Sequence, residues 1–408
     1  MTWRFGDLET GRGGDSETWR LGDLKTWSKD DLKLRRLGEH EHEVNISGET
    51  ISPSPSLQIS KSPNLPLSKS PRLPVLLALF ILFLFVPKTN AQDFTIYRGD
   101  QLPPGVEKIY SKGLKYLMGV QTQTGSFPGN YGSESAMAAL AMLAMLAHGE
   151  DPNFGPYATN IKRCLDFVLK SAKKENGYLG NSMYNHGFST LALAEAYGAV
   201  ADERIGPALK KAVELLLTSQ KRNRFKAWRY SPESDDADTT VSGACLVALY
   251  AARNAGIAVP DKAIEDALKF YSDCQDPNSG AIAYIPRSGA MVGPTTAIGV
   301  AAFAYGRQKT DKTFLKAFKA IKDAVAVNNG AEGGMGFYPF YFEYYASQAL
   351  FQSDVKVWEE WNAKQIKELT ETQNEDGSWN GQLGQPLSTA FALLSMALNY
   401  RYLPIYER

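Results

Sequence analysis

Three carboxyl groups and two aromatic side chains form the part of this sequence best suited to chemistry. Asp235, Asp236 and Asp238 lie just ahead of an apolar stretch, and Trp228 and Tyr230 precede them. A carboxylic acid held in a dry pocket can stay neutral and deliver a proton. Asp238 could instead cap a helix, since an Asp just before a helix accepts its free amide protons. The cap is the simpler role, and proton transfer stays open as the alternative.

A second group of aromatic residues lies later in the chain. Residues 337–345 contain seven aromatics, which could line a cavity for an apolar or sugar-like ligand or could fill a wide core. The candidate ligand-binding residues are Trp228, Tyr230, Tyr184, His186, Tyr338, Tyr341, Tyr344 and Tyr345. His186 is the weakest of them, because lone histidines are usually not catalytic.

These candidate residues lie within a repeat of the sequence, whose helices determine where they are placed. A pair of small residues opens an Ala-rich apolar stretch six times, at intervals of 42 to 54 positions. The pairs are Ser135-Ala136, Ser189-Thr190, Ser242-Gly243, Thr295-Thr296, Ala346-Ser347 and Ser388-Thr389. A period near 50 that persists over residues 105–402 indicates a repeat architecture.

Each repeat combines two kinds of helix. The first is amphipathic, as in residues 205–217, where apolar residues recur at helical spacing among lysines. The second is apolar on every face, as in residues 136–147, and must be buried on all sides. An outer ring of helices around an inner ring satisfies both patterns, so the sequence predicts an all-α (α/α)6 toroid of six helical hairpins. Tyr184 and His186 are placed just before the second inner helix, and Asp238 just before the third.

The loop between the two helices of a repeat carries Gln, Gly and an aromatic residue. One full and one relaxed copy of this motif are present, made of Gln373, Gly377 and Trp379 and of Gln121, Gly125 and Phe127. Weaker copies lie near Tyr178, Trp228, Tyr284 and Phe337. Gly permits the left-handed turn that ends a helix, and the aromatic can cover the exposed helix end. We therefore assign this loop motif a structural role.

The loop motif and the alternating helices resemble the prenyltransferase and squalene-oxidase repeat over about residues 105–402. That repeat builds the α/α toroid of squalene-hopene cyclases and of protein prenyltransferase β subunits, so the resemblance implies a terpenoid cyclase-like toroid. The cyclases carry a DxDD motif whose central acid protonates an alkene. Asp236 and Asp238 match its first two acids, with Asp238 in the protonating position, while Thr239 replaces the third. The resemblance thus implies Asp238 and Asp236 as catalytic candidates.

The zinc chemistry of the prenyltransferases is not expected in this chain. Those β subunits hold zinc with an Asp, a Cys and a late His, whereas the last His here is His186. The sequence also lacks a DDxxD motif for a Mg²⁺-diphosphate, a Gly-rich phosphate loop, and the HExxH and GxSxG motifs. We therefore expect no metal and no cofactor.

The N-terminal ninety residues differ in composition from the rest. Residues 1–68 contain Pro-rich repeats and no apolar periodicity, which predicts a disordered leader. Residues 69–91 combine basic residues, an apolar run at 75–86 and small residues at the end, a pattern typical of a signal peptide and too short for a bilayer core of about 30 Å. Either the true start lies downstream of Met1 or the run stays as a membrane anchor. A linker and a C-terminal tail are predicted at 92–104 and 403–408.

The charge balance limits the partners of the protein. The 44 Lys and Arg are offset by 44 Asp and Glu, so no excess of positive charge favours a nucleic acid. Two functions remain. The first is an exported toroid (periplasmic, secreted or cell-surface) that binds an apolar or chain-like ligand, or a protein partner, in its cavity or at its rim. The second is an acid-initiated isoprenoid cyclase. We rank binding first because isoprenoids are made inside the cell; membrane association through residues 75–86 is expected only if they are not cleaved off.

Overall fold

Alternating amphipathic and wholly apolar segments produce alternating helices. The computed structural model describes residues 102–327 and 338–407, and over these ranges the chain forms twelve α-helices and no β-strand. The helices are α1 Val106–Val120, α2 Ser135–Leu146, α3 Ala158–Lys170, α4 Met183–Ala196, α5 Ile205–Arg222, α6 Thr239–Asn254, α7 Asp261–Asp273, α8 Pro294–Tyr305, α9 Lys312–Val327, α10 Pro339–Ser353, α11 Val355–Thr372 and α12 Gln385–Met396. Short 3-10 turns follow at Ala397–Asn399 and Pro404–Tyr406.

The even-numbered helices are buried on all sides because they have no polar face. All twelve residues of α2 and all fourteen of α4 are buried. The odd-numbered α3, by contrast, buries a single stripe that consists of Ile161, Cys164, Leu165 and Val168. Burial of apolar surface therefore assigns the even-numbered helices to the interior and the odd-numbered helices to the exterior.

The inner helices form a closed ring. Each packs against the next in chain order from α2 to α12, and α12 packs against α2. The outer helix α1 lies mainly against α12, so the first helix covers the last repeat. This arrangement confirms the predicted (α/α)6 toroid. Because an outer helix runs back between successive inner helices, all inner helices point the same way. We call the end with their N-termini the mouth and the opposite end the far end.

Glutamine side chains at or just after the ends of outer helices join neighbouring outer helices. The Gln373 Nε2 donates to the Ile109 carbonyl of α1 at 2.8 Å, and this contact closes the outer ring. The Gln121 Nε2 donates to the Asn160 carbonyl of α3 at 3.1 Å. The same contact recurs in two further repeats, from Gln220 in the last turn of α5 to the carbonyl of Ala263 and from the loop residue Gln275 to that of Thr313. The loops therefore act as clamps between repeats.

The tryptophan of the loop donates a hydrogen bond to the last turns of the preceding helix. The Trp379 Nε1 donates to the Leu369 carbonyl at 3.0 Å, near the end of α11. The Trp228 Nε1 donates in the same way to the Leu216 carbonyl of α5, also at 3.0 Å. The Leu369 carbonyl is one of the last four of α11, where intrahelical donors run out, whereas the Leu216 carbonyl lies one turn further inside its helix and also accepts from the Ser219 hydroxyl. Phe127 has no such donor and is simply buried.

The glycine of the loop is required by a close approach of the next outer helix. Gly377 has φ +95°, and a Cβ at this position would lie 2.3 Å from the Lys112 carbonyl oxygen. Gly125 has φ +90°, and its Cβ would lie 2.1 Å from the Arg163 carbonyl oxygen. No side chain fits at either distance, and positive φ also disfavours other residues.

We expect Gln373→Ala to lower the free energy of unfolding by about 1 kcal/mol, since it removes one hydrogen bond across the ring closure. Urea denaturation followed by circular dichroism measures this change. The control is Gln382→Ala in the same loop, where the side chain is exposed and the stability should stay unchanged. Equal stability of the two variants would show that the Gln373 contact does not hold the ring closed.

The second inner helix begins earlier than its pair of small residues suggested. α4 begins at Met183, because the Ser182 Oγ accepts the Asn185 amide at 3.3 Å and caps the helix there. Tyr184 and His186 were predicted to precede this helix, and that placement is wrong: both lie in its first turn.

The aromatic run extends into its helix. α10 begins at Pro339 and contains Tyr341, Tyr344 and Tyr345, while Tyr338 directly precedes it. The predicted loop copy at Phe337 lies outside the described residues, as do the predicted leader, the signal segment and most of the linker. No helix in the described ranges is both long and apolar enough to cross a membrane.

Candidate functional site

Asp238 caps α6 at the mouth of the ring. Its side chain is fully buried, and its Oδ1 accepts the amides of Thr240 at 2.9 Å and Val241 at 2.8 Å. The Thr240 hydroxyl donates to the same oxygen at 2.7 Å. Three donors therefore use one carboxylate oxygen, as the capping interpretation of the sequence requires.

The second oxygen of Asp238 faces Arg229. The Arg229 Nη1 lies 3.4 Å from the Asp238 Oδ2, and the Arg229 Nε lies 3.4 Å from the Asp236 Oδ2. The Asp236 side chain is 52% exposed and that of Asp238 is 0% exposed, so Arg229 joins a buried carboxylate to an open one. Burial raises the pKa of Asp238 to about 6, and the hydrogen bonds and Arg229 limit the rise.

Two tyrosines hold the Arg229 side chain. Its guanidinium carbon lies 4.8 Å from the centre of the Tyr230 ring and 5.4 Å from that of Tyr284. The two phenol oxygens are 2.7 Å apart, and the Arg229 Nη1 donates to the Tyr284 oxygen at 3.3 Å. Both tyrosines are half-buried. The result is a partly open corner of aromatic faces, hydroxyls, a cation and the exposed carboxylate of Asp236, which we call the mouth corner.

The acidic loop is fixed from the end of α5. The Asn223 Nδ2 donates to the carbonyls of Ser234 at 3.0 Å and Asp236 at 2.6 Å. The Asp238 amide donates to the Trp228 carbonyl at 3.0 Å. These bonds bring the two ends of the loop together. The main chain of the loop therefore places the carboxylates of Asp236 and Asp238 beside Arg229.

Tyr184 links the mouth corner to the ring interior. Its hydroxyl is hydrogen-bonded to the Thr240 hydroxyl, which in turn donates to Asp238. The rings of Tyr184 and Tyr230 have centroids 6.2 Å apart, and the ring of Phe188 stacks on that of Tyr184 at 6.5 Å. The mouth corner therefore packs directly against aromatic side chains of α4.

Aromatic rings from opposite sides meet across the middle of the ring. Phe188 of α4 lies 6.5 Å from Tyr344 of α10 and 6.1 Å from Phe391 of α12. Tyr341 contacts Phe391 at 5.5 Å, and Tyr345 contacts Tyr341 at 5.1 Å. All five are almost fully buried, and α4 and α10 are separated by two inner helices on either side. These side chains fill the interior at this level.

Tyr338 lies at the edge of the mouth, on a narrow crevice. Phe340, Leu383 and Gly381 also line this crevice, whose volume is about 10 Å³. That is about the room needed by one water molecule. Of the predicted aromatic contacts, Tyr230 and Tyr338 are therefore partly open, whereas Tyr341, Tyr344 and Tyr345 are buried.

Both ring nitrogens of His186 are hydrogen-bonded to the main chain. Its Nδ1 accepts the Leu179 amide at 3.1 Å, and its Nε2 lies 3.0 Å from the Ala212 carbonyl, to which it must donate. In the next repeat the Ser242 hydroxyl accepts the Trp228 amide at 3.0 Å in the equivalent way. Burial lowers the pKa of His186 to about 4, so the ring is neutral at pH 7.

Arg229 and Tyr284 were not among the candidates from the sequence. Arg229 stands between two residues that were chosen, Trp228 and Tyr230, and its position alone could have drawn attention to it. Tyr284 was assigned to a weak copy of the loop motif, and nothing in the sequence brings it beside Tyr230. Within residues 102–327 and 338–407, no three His, Cys, Asp or Glu side chains are grouped as metal ligands would be.

A family model described as a domain of unknown function, DUF6288, matches residues 106–350. The sequence matches none of the curated proteins with which it was compared.

Two solved structures share the toroid. The first is an inactive variant of an α-1,6-mannanase of Salegentibacter sp. HEL1_6, with two aspartates changed to asparagine, in complex with α-1,6-mannotriose. It has a TM-score of 0.56 and 15% identity and covers 72% of this chain and 99% of its own. The second is the type II terpene cyclase MstE from Scytonema, with a TM-score of 0.50 and 15% identity over 73% of this chain and 98% of its own. Both likenesses show the fold.

Proposed function

The chain belongs to the family of the domain of unknown function DUF6288, and on that premise we propose that it binds a chain-like ligand at the mouth of its ring. The observation that carries this proposal is the mouth corner, where Arg229 lies between Tyr230 and Tyr284 beside the exposed carboxylate of Asp236. A few convergent polar groups among aromatic faces are typical of a small-molecule site.

The polar atoms of the corner favour a hydroxylated ligand over a hydrocarbon. A bound isoprenoid would cover the half-exposed Asp236 carboxylate without giving it a hydrogen bond in place of water, which costs about 1 to 3 kcal/mol. A sugar chain could hydrogen-bond these atoms through its hydroxyls and lay its apolar ring faces on the tyrosines. We therefore propose an oligosaccharide, bound at the mouth above the aromatic rings that fill the interior.

The proposal includes export and a distant relation to prenyltransferase and squalene-oxidase repeat proteins. Export through residues 69–91 would bring the mouth corner to polysaccharides outside the cell, and the same residues would anchor the protein if they are retained. The relation to the repeat proteins accounts for the clamping loops at Gln373 and Gln121. Neither part is needed for the binding experiment.

An acid-initiated cyclase is the second candidate, and the buried Asp238 favours it. Its pKa, raised to about 6, moves toward the range in which a carboxyl is a useful acid. However, Oδ1 already accepts three hydrogen bonds, and Oδ2 faces Arg229. A proton on either oxygen would point at a donor instead of a substrate, so we rank this function second.

The test is a calorimetric titration of the protein with α-1,6-mannotriose and, separately, with a short polyprenol in detergent. We expect the saccharide to bind, and Tyr230→Ala and Tyr284→Ala each to weaken binding about tenfold, since each removes a stacking face and a hydroxyl. Tyr402→Ala is the matched control, because this exposed tyrosine lies against Gly149 at the far end.

The outcomes separate the candidates. Saccharide binding that only the mouth variants weaken supports the proposal. Binding that all three variants leave unchanged, or no saccharide binding, overturns it. Binding of the polyprenol alone, lost in the mouth variants, would move the cyclase hypothesis to first place.

A further inference from the structure

The C-terminal residues are buried in the far end of the ring. The sequence predicted residues 403–408 to be a tail outside the toroid, and for the described residues 403–407 this is wrong. Leu403, Ile405 and Tyr406 are each less than 5% exposed, and the turn Pro404–Tyr406 packs against α6. Apolar side chains at alternate and adjacent positions hold the segment inside instead of leaving it in solvent.

Two buried side chains hydrogen-bond the main chain of this segment. The Ile405 amide donates to the Glu195 Oε2 at 3.2 Å, and the Gln352 Nε2 donates to the Tyr406 carbonyl at 3.3 Å. Glu195 lies near the C-terminus of α4 and is 3% exposed, and Gln352 lies near the C-terminus of α10 and is 2% exposed. Because α4 and α10 are on opposite sides of the inner ring, the segment crosses the opening.

The Tyr406 side chain lies in the interior that the ring encloses. Burial raises the pKa of its hydroxyl, and the neighbouring phenols of Tyr344 and Tyr305 and the carboxyl of Glu195 raise it further. Tyr344 also belongs to the aromatic contacts of the ring centre. The segment therefore covers the far end of the interior whose centre the aromatic side chains fill.

Removing the segment would leave Glu195 and Gln352 without these partners. Both side chains direct a polar atom at the main chain of the segment, so the far end presents one acceptor and one donor that fit a peptide. Main-chain hydrogen bonds combined with buried side chains are a common means of peptide recognition, and here they hold a short 3-10 turn. The chain supplies this peptide from its own residues 403–407.

We propose that the far end of the ring is a peptide-binding site, formed by Glu195, Gln352 and the inner helices, which the chain's own residues 403–407 occupy and which accepts a hexapeptide of residues 403–408 as a separate molecule. This site is distinct from the mouth corner and does not depend on the function proposed for it.

The test cuts the segment from the folded protein. A protease site is inserted after Tyr402, which is 45% exposed and directly precedes the segment. After cleavage and dilution, a fluorescent hexapeptide of residues 403–408 is added and its anisotropy measured. We expect saturable binding at one peptide per protein, and competition by the unlabelled peptide but not by a hexapeptide of the same composition in scrambled order.

Two changes probe recognition of the main chain. Methylation of the Ile405 nitrogen in the peptide removes the donor to Glu195, and Gln352→Ala removes the donor to the Tyr406 carbonyl. Each should weaken binding about five- to tenfold, which corresponds to about 1 kcal/mol. Lys356→Ala, an exposed change in α11, is the control and should leave binding unchanged.

The three possible outcomes of the peptide-binding experiment either support or overturn the proposal. Specific binding that both main-chain changes weaken supports the proposal. Cleaved protein that stays folded but does not bind the peptide overturns it. Unfolding on cleavage also overturns it, because the segment would then be an inseparable part of the core and not the occupant of a site.

Discussion

Between pH 6.5 and 8 the free energy of unfolding should fall by up to about 4 kcal/mol. Two buried carboxyls cause this, Glu195 of α4 and Glu343 of α10, because burial raises the pKa of each from 4.5 to about 8. The folded protein keeps two protons that the unfolded chain releases, so stability present at low pH is lost as the pH rises through 8. Each carboxyl contributes at most about 2 kcal/mol over this interval, at about 1.4 kcal/mol per pH unit.

The interval is chosen because other groups act outside it. His186 has a pKa lowered from 6.5 to about 4, so its contribution grows as the pH rises and is complete above 6.5. Asp238, with a pKa raised from 3.8 to about 6, loses its contribution mostly below that pH. The buried thiol of Cys164 resists ionisation, and its contribution begins to change only as the unfolded thiol titrates near pH 9.

Urea denaturation at pH 6.5, 7, 7.5 and 8 measures the effect. The control is the double variant Glu195→Gln and Glu343→Gln, in which the amide oxygen can still accept the hydrogen bonds from Ile405 and Gln365. Its stability should be almost constant over the interval. If the wild type and the double variant show parallel curves, these two carboxyls are not protonated in the folded protein.

Replacing Asp238 with Ala should lower the free energy of unfolding by about 3 kcal/mol, and with Asn by about 1 kcal/mol. The Ala variant leaves the Thr240 and Val241 amides without their acceptor and Arg229 without its buried partner. The Asn variant keeps one acceptor oxygen and so keeps most of the cap. Thermal and urea denaturation at pH 7.5 measure both values.

Asp354 provides the matched control for this experiment. It caps α11 by accepting the amides of Lys356 and Val357, but it is only half-buried, and no arginine in the described part of the chain hydrogen-bonds it. Asp354→Ala should therefore cost only the cap, about 1 kcal/mol. The excess at Asp238 measures what burial and Arg229 add to a simple cap.

The same variants decide between the two proposed functions. With a squalene-like polyene as substrate, we expect no cyclised product from the wild type, hence none to be lost. If Asp238→Asn keeps full stability and abolishes a measurable product, the acid function is correct and our ranking is wrong. A destabilised variant without any product to lose leaves Asp238 as the residue that caps α6 and holds Arg229.

The toroid was predictable because its signals are periodic and local. Helices without a polar face, such as α2, must be inside, and amphipathic ones, such as α3, must be outside. Six copies of each leave few alternatives. Helix starts were less predictable, because α4 begins at the hydroxyl of Ser182 and not at the small pair Ser189-Thr190.

The candidate site was predictable only where it is local. The capping of α6 by Asp238 follows from an Asp placed before an apolar helix. The contact between Tyr230 and Tyr284 joins residues 54 positions apart, and no local pattern reports it. His186 was chosen because an imidazole can transfer protons. In the structure it accepts a loop amide, as the Ser242 hydroxyl does in the next repeat, and this role becomes visible only when the repeats are compared.

The closing contact between Gln373 and Ile109 joins residues 264 positions apart, so the ring formed by the described helices has no terminal repeat. An open array of helical repeats can fray from its ends, because each end unit has one neighbour only. In this ring every hairpin has two neighbours, so loss of any one hairpin exposes apolar faces on both sides. The circle should therefore unfold as a whole and not unit by unit, and a nick between hairpins should be better tolerated than a missing hairpin.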